Sequence, residues 1–497
     1  MLIFVFVKRK ILFKMKKLTA LKILGLVIGC AAKFTTGSLF VFSVYQDALK
    51  DTFNYTQKEV ELLSSMLNFG LGVGFLPGMF YDHFGPQWTS VVGLFVSVSS
   101  YLLIWSSTKA VSFYSSKAWL MSIYFFICGL GSIFTYMVAL NTNIINFDKK
   151  DTGKIVGLLN AFFAGSPSVF AALYYHVFSH GDTTDVSNQD FPGFMLLFAI
   201  SFAIVDILSI LFVKIYKDES QPFVRFVNVE DDISNTNEIV TSSNSGGSHE
   251  IFCFARRNGR QSIIGDINGD SNTDNVTITN NDAERHMSVK EILLNADYEI
   301  LIWTISFASV IGLVYTNNIT VISGSLHLDK YNDRLTLIIP ITNAVVSFLV
   351  GIISDYFKDR FPRMWILILG CTCYTASQIL VFFLAGTLDF LVISAVLVGF
   401  GTAIVWSMSP TIMKEMFYVG NLGRNWGIAL LVASLLGFGI QEAFGAFYDD
   451  KISPGGDGVH CYGMKCIRGG TLICLACGSV SIALGIFMQL RKKCCNR

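Results

Sequence analysis

Two pentapeptides decide the fold: Gly78-Met79-Phe80-Tyr81-Asp82 and Gly351-Ile352-Ile353-Ser354-Asp355. They lie 273 residues apart, and each closes an apolar stretch long enough to cross a bilayer. A second pair of patterns shares nearly the same offset. Phe147, Gly153 and Gly157 match Phe417, Gly423 and Gly427 at a separation of 270 residues. Chance rarely supplies both the offset and the position in the order of helices. The chain therefore reads as two copies of one unit. Parallel repeats of this kind build rocking transporters, with the solute site near the midplane between the halves.

The rest of the chain fits that reading. Apolar windows of about 20 residues, enough for one helical pass, recur near 18–45, 59–81, 88–107, 118–141, 154–178, 192–215, 298–323, 335–355, 363–385, 388–413, 426–446 and 469–490. The expected architecture is all-α and integral to the membrane, with twelve transmembrane helices in two six-helix pseudo-repeats. Barrel strands are excluded, because they need only about 10 residues and alternate in polarity. Charged residues make up 15% of the 497, against about 25% in soluble chains. The mean hydropathy is +0.54. A net charge of +1 implies no nucleic-acid partner.

The expected domains are a tail (1–17), a first bundle (18–216), a polar loop (217–292), a second bundle (293–490) and a short tail (491–497). The loop is rich in Asn, Ser, Asp and Gly and too polar to build a core, so disorder is expected there. Lys and Arg gather in both tails and in the turns near 149 and 358, which predicts cytosolic termini. The identity of the membrane stays open.

Glycines four apart let two membrane helices approach closely. Gly153 with Gly157 and Gly423 with Gly427 form such faces, where the halves would touch and part. Asp82 and Asp355 sit where helices leave the membrane. A carboxylate there can meet the positive N-terminal end of a neighbouring helix in one conformation and leave it in another.

Gly78–Gly85, GMFYDHFG, resembles the helix 2–3 motif of the major facilitator superfamily, Gly-x-x-x-Asp-x-x-Gly followed by basic residues; here Pro86 and Gln87 stand in the basic positions. In the second copy Lys358 replaces the later glycine, and Arg360 and Arg363 bring positive charge. Gly78, Asp82, Gly85, Gly153, Gly157, Gly351, Asp355, Arg360, Gly423 and Gly427 are thus the expected gating positions. Four segments are similar to the nodulin-like branch, itself similar to monocarboxylate and oxalate–formate transporters: Gly37–Val60, 146–165, Ser409–Gly427 and Cys461–Cys466. The resemblance implies fold and transport and leaves the solute open. Cys461 and Cys466 fall in the last non-cytosolic loop, where either a disulfide or two thiols would fit.

Few ionisable groups lie deep in the windows. Lys33 stands about 22 Å along the first, counted from Leu18 at about 1.5 Å per residue, and Asp206 stands in the sixth. An intramembrane charge is costly and needs a partner. For Lys33 that partner is either a travelling anion, the favoured reading, or Asp206. The nodulin-like pattern often carries an uncharged residue at this position, so Lys33 is a departure. The resemblance implies a cavity lined by helices 1, 4, 7 and 10. On that basis Thr36, Tyr136, Tyr315, Asn317, Asn318 and Trp406 join Lys33 as candidate substrate contacts. Asn160 is expected to join the halves. The expected function is secondary transport of a small organic solute, a monocarboxylate or other organic anion, by alternating access; a neutral amino-acid carrier or a transporter-like sensor are the alternatives. No catalytic or metal motif stands out, and His180 with Asp185 is read as a chance spacing. No cofactor is implied, proton coupling is one option, and the expected partners are the lipid bilayer and the solute, with the chain a monomer.

Overall fold

The computed structural model describes residues 2–179, 189–216, 286–384, 386–451 and 461–495. The loop expected over 217–292 lies outside the described residues up to position 285, as do His180 and Asp185. Among the described residues there is no strand, only a single bridge between Ser179 and Gln189.

The first half comprises α1 (Leu2–Gly37), α2 (Phe42–Phe53), α3 (Gln57–Gly72), α4 (Phe75–Ser107), the short α5 (Val111–Tyr114), α6 (Ala118–Asn146), α7 (Thr152–Leu173) and α8 (Phe191–Phe212). The short α9 (Val289–Leu293) leads into the second half: α10 (Ala296–Ser325), α11 (Asn332–Phe357), α12 (Arg363–Leu384), α13 (Leu388–Met416), α14 (Leu422–Asp449) and α15 (Lys465–Cys495). Eleven stretches are long and apolar enough to cross a membrane. One of them, Lys58–Ser107, has 50 residues, about 75 Å of helix at about 1.5 Å each. That is two crossings of a core about 30 Å thick, so the passes number twelve. Both chain ends then share one side, called here the terminal face.

Local sequence explains where the helices start and break. Gly85 turns the chain inside α4 with φ 78° and ψ −178°. That backbone is open to glycine at little cost, and Pro86 then starts the next arm in a place that needs no N–H. The second window is not one straight helix, because α3 ends at Gly72 and α4 begins at Phe75. The Thr56 hydroxyl and Glu59 carboxylate cap α3 reciprocally, satisfying N–H groups the helix leaves unpaired. Ser288 and Glu291 do the same for α9. Residues 286–292 are therefore ordered at the foot of α10 rather than part of a featureless loop, and the Met287 carbonyl accepts from Asn421 and Arg424.

Candidate functional site

A lysine sits where the halves meet. Lys33 is fully buried. Its place follows from two glycines one turn either side on the same face of α1. A Cβ at Gly29 would meet the Asn143 amide, and one at Gly37 would meet the Phe163 carbonyl. Without side chains there, α1 lies tightly against α6 and α7. The Lys33 Nζ stands 3.2 Å from the Tyr136 ring centroid on α6 and 5.3 Å from the Phe163 ring on α7. Both rings offer a negative face to the ammonium. Nζ also donates to Asn160 Oδ1 at 3.4 Å.

Asn160 works in two directions. Its amide nitrogen donates across the halves to the Trp406 carbonyl (2.8 Å) and Ser407 Oγ (3.3 Å) on α13. The Trp406 ring meets Trp426 of α14 edge-on at 6.0 Å. Buried Trp426 Nε1 has no acceptor in hydrogen-bond geometry, although the Tyr136 hydroxyl lies beside it. Two aromatic faces, Tyr136 and Phe163, thus flank one ammonium, and the Trp406–Trp426 pair stands beyond Asn160. That ammonium has three N–H donors. Among the described residues it meets one oxygen and no carboxylate.

Asp206 does not pair with Lys33. On α8 it accepts from Thr135 Oγ1 at 2.9 and 3.1 Å. The reason is helix rotation: Thr135 and Tyr136 are adjacent on α6 and point in different directions, one to each charge. Other candidates turn their polar groups elsewhere, although Thr36 also reaches the Lys33 carbonyl at 3.3 Å. Thr36 returns its hydroxyl to the Ala32 carbonyl of its own helix (2.5 Å), and Asn318 donates to the Val314 carbonyl (2.8 Å). Tyr315 bonds Ser394 on α13 at 2.5 Å. Asn317 is exposed. Only Tyr136 and Trp406 of the neutral candidates share the site with Lys33 and Asn160.

The terminal face carries two matching latches between halves. Asp82 accepts from the backbone N–H of Gly423 (3.0 Å) and Arg424 (2.6 Å) at the start of α14. Asp355 accepts from those of Gly153 (2.9 Å) and Lys154 (2.8 Å) at the start of α7. Each carboxylate thus meets the positive end of a helix from the other half. The glycines let the backbones close. A Cβ at Gly78 would meet the Gly423 carbonyl, at Gly427 that of Gly74, at Gly157 that of Ser347 and at Gly351 that of Gly153. Farther along α7, Gly165 stands 3.7 Å, measured from such a Cβ, from Ala344 of α11.

Arg360 is exposed, and among the described residues it forms no ion pair. Arg363 holds the position instead. Its guanidinium pairs with Asp355 and, at 2.6 Å, with Glu415. α12 begins at Arg363, so that residue rather than Arg360 is carried into the interface. Lys414 escaped the sequence reading. Buried on α13, it donates across the halves to the carbonyls of Ile144 (2.6 Å) and Phe147 (3.1 Å) and to Thr152 Oγ1 (3.0 Å). It neutralises the C-terminal end of α6, where carbonyls lack partners. No residue type announces this role, since two of its acceptors are main-chain carbonyls and the matched position in the first half is Ile144.

Cys461 and Cys466 are joined by a disulfide with Cα atoms 5.8 Å apart. Among the described residues no cluster of His, Cys, Asp and Glu could hold a metal.

Comparison with known proteins gives the family. A probable transporter, mch1, of Emericella nidulans is 22% identical over 502 residues, covering 86% of this chain and 79% of that protein. The proton:xylose symporter XylE superposes with a TM-score of 0.66 at 11% identity, covering 95% of this chain and 96% of the other. FucP in its outward conformation gives 0.58 at 13% identity, and the human organic anion transporter MFSD10 gives 0.57 at 12%, each covering 95% of this chain and 99% of the other. These likenesses show the fold. The family model described as Major Facilitator Superfamily matches residues 26–440, and the chain belongs to that superfamily.

Proposed function

We propose that this transporter is a carrier of the nodulin-like kind that moves a small organic anion, a monocarboxylate first among them, by rocking of its two halves. One observation carries the reading: Lys33 is buried where the halves meet, and no carboxylate of the described residues pairs with it. A buried ammonium with unused donors is complementary to a carboxylate. The aromatic walls add apolar surface suited to a short carbon chain. The latches hold the terminal face shut, and described glycine contacts between α7 and α11 reach only to Gly165. With the termini in the cytosol, this is the outward-facing arm of the cycle. Asn160 bonds both Lys33 and α13, so an anion that draws Lys33 away would alter a contact between halves.

The test is uptake by purified protein in liposomes, over a panel of monocarboxylates and neutral amino acids, with and without a pH gradient. Saturable monocarboxylate uptake with counterflow is expected. Lys33→Gln removes the group that would pair with the bound carboxylate, and truncating one partner of such a buried pair costs about 2–5 kcal/mol, so kcat/KM should fall by at least about thirtyfold. Unchanged kinetics in that variant would reject the role of Lys33. Preference for amino acids would reassign the solute, and no uptake by the wild-type chain would point to a sensor.

A further inference from the structure

The face opposite the terminal one carries a modification signal. The sequence holds three Asn-x-Ser/Thr acceptor patterns, at Asn54, Asn275 and Asn318. A glycan on asparagine is bulky and hydrophilic, so its acceptor must stand in water on the lumenal or outer side of a membrane. Asn318 fails the first condition: it is buried within α10 and donates to the Val314 carbonyl. Asn275 fails the second. It lies outside the described residues, but the sequence puts it between the sixth and seventh passes, on the side of the termini.

Asn54 meets both conditions. It is exposed and closes α2 in the left-handed conformation, with φ 54° and ψ 41°, which asparagine adopts more readily than most residues. The first pass, Leu18–Phe53, has 36 residues. At about 1.5 Å each that is about 54 Å of helix, against a hydrocarbon core of about 30 Å. Its last turns therefore stand clear of the lipid. Asp47, Lys50, Asp51, Lys58 and Glu59 flank Asn54 in the chain, and charges in such number belong in water. The Tyr55 hydroxyl donates to the Tyr114 carbonyl at 2.9 Å, which ties this turn to the connection between the third and fourth passes.

The disulfide identifies the compartment. Cys461 and Cys466 stand between the last two passes, on the same side of the membrane as Asn54. The Gly463 N–H between them bonds the Ser325 carbonyl at the far end of α10 (2.7 Å). Disulfides persist where the surroundings are oxidising, in the lumen of the endoplasmic reticulum and at the cell surface.

We propose that Asn54 carries an N-linked oligosaccharide, and that this protein therefore resides in a membrane reached through the endoplasmic reticulum. The co-reactant is an oligosaccharide carried on a polyprenyl diphosphate. Asn54 Nδ2 attacks the anomeric carbon of the first sugar, and a carbon–nitrogen bond forms. The bond from that carbon to the diphosphate oxygen breaks, the polyprenyl diphosphate leaves with the electron pair, and the amide gives one proton to solvent. In the folded chain the Thr56 hydroxyl is held by Glu59 at 2.8 Å and Tyr55 is buried. Transfer accordingly precedes closure of that capping box. The proposal shares the cytosolic termini with the transport reading and depends on no solute.

The full chain is produced in cultured eukaryotic cells, and its membranes are treated with peptide N-glycosidase before electrophoresis. The wild-type chain is expected to migrate faster after treatment, with Asn54 converted to aspartate in the tryptic peptide Asp51–Lys58. Asn54→Gln and Thr56→Ala should abolish the shift. Thr56→Ser, which keeps the hydroxyl of both the acceptor pattern and the cap, should retain it, as should Asn275→Gln. A wild-type chain without a glycan, or a shift that survives Asn54→Gln, would overturn the site. A shift lost only in Asn275→Gln would overturn the cytosolic termini as well. Absence of monocarboxylate uptake by a chain glycosylated at Asn54 would reject the solute and leave this site standing.

Discussion

Replacing Gly427 by alanine should open the terminal face. In the structure a Cβ at this position would stand 2.6 Å from the Gly74 carbonyl carbon and 2.8 Å from Phe75 Cα, with the Gly74 oxygen closer still. Carbon atoms at rest lie about 3.5–4.0 Å apart, so α14 must retreat from the start of α4 by about 1 Å. All three obstacles are backbone, which cannot rotate out of the way. Overpacking of this sort costs about 1–3 kcal/mol. Alanine also improves the helix by about 0.5–1 kcal/mol, but that gain is the same in both conformations and cancels. The clash is confined to the closed state, so the ratio of closed to open forms should fall by about 5–150-fold. Spin labels at Lys150 and Arg360, two exposed turn residues in opposite halves, can report it in a background lacking Cys494 and Cys495. The variant should show a longer distance component at the expense of the wild-type one. Gly439→Ala is the control, because its Cβ would meet nothing within 4 Å on the same helix. A distribution identical to wild type in Gly427→Ala, or an equal change in Gly439→Ala, would refute the reasoning.

Other expectations follow from the same contacts. Asp82→Ala strips two backbone N–H groups of a charged acceptor; at about 1.5–3 kcal/mol for such hydrogen bonds, the same label pair should report a shift of tenfold or more toward the open form. Lys414→Met leaves two buried carbonyls without their donor, each worth about 1–3 kcal/mol, and thermal unfolding should show a clear fall in Tm. Lys33→Gln and Asp206→Asn should be additive in a double-mutant cycle of unfolding free energies, with coupling below about 0.5 kcal/mol. Larger coupling would mean that the two charges do interact.

What the sequence disclosed, it disclosed through repetition and through misplaced charge. Asp82 and Asp355 could be found because the duplicated unit writes each latch twice, and because a carboxylate at a helix end has few partners other than a helix N-terminus. Lys33 could be found because a charge in an apolar window has no ordinary explanation. Its partner could not, since helix order alone does not fix the rotation of α6 and α8, and one step from Thr135 to Tyr136 separates the two charges. Arg363 and Arg360 differ by less than one turn, and the choice depends on where α12 begins. Lys414 was illegible for another reason. Its acceptors are main-chain carbonyls, which no residue type announces, and at the edge of a window it resembles an ordinary flanking cation.

The two latches are alike in backbone and unlike in charge, and that difference bears on how the terminal face opens. Asp355 keeps a cation from its own half, because Arg363 of α12 pairs with it. When α7 withdraws, that carboxylate loses two N–H groups yet remains compensated. Asp82 has no such companion among the described residues. The nearby Arg424 guanidinium is turned away, bonded to Asn425 Oδ1 and to the Met287 carbonyl. Withdrawal of α14 therefore takes two donors from the Asp82 carboxyl and leaves nothing from its own half, among the described residues, to meet it. A half-buried carboxylate in that position must gain water, a proton or a new cation before the halves can part. The α4–α14 contact is for that reason the costlier of the two to break, and a substitution that neutralises Asp82 should free the terminal face more than the same change at Asp355.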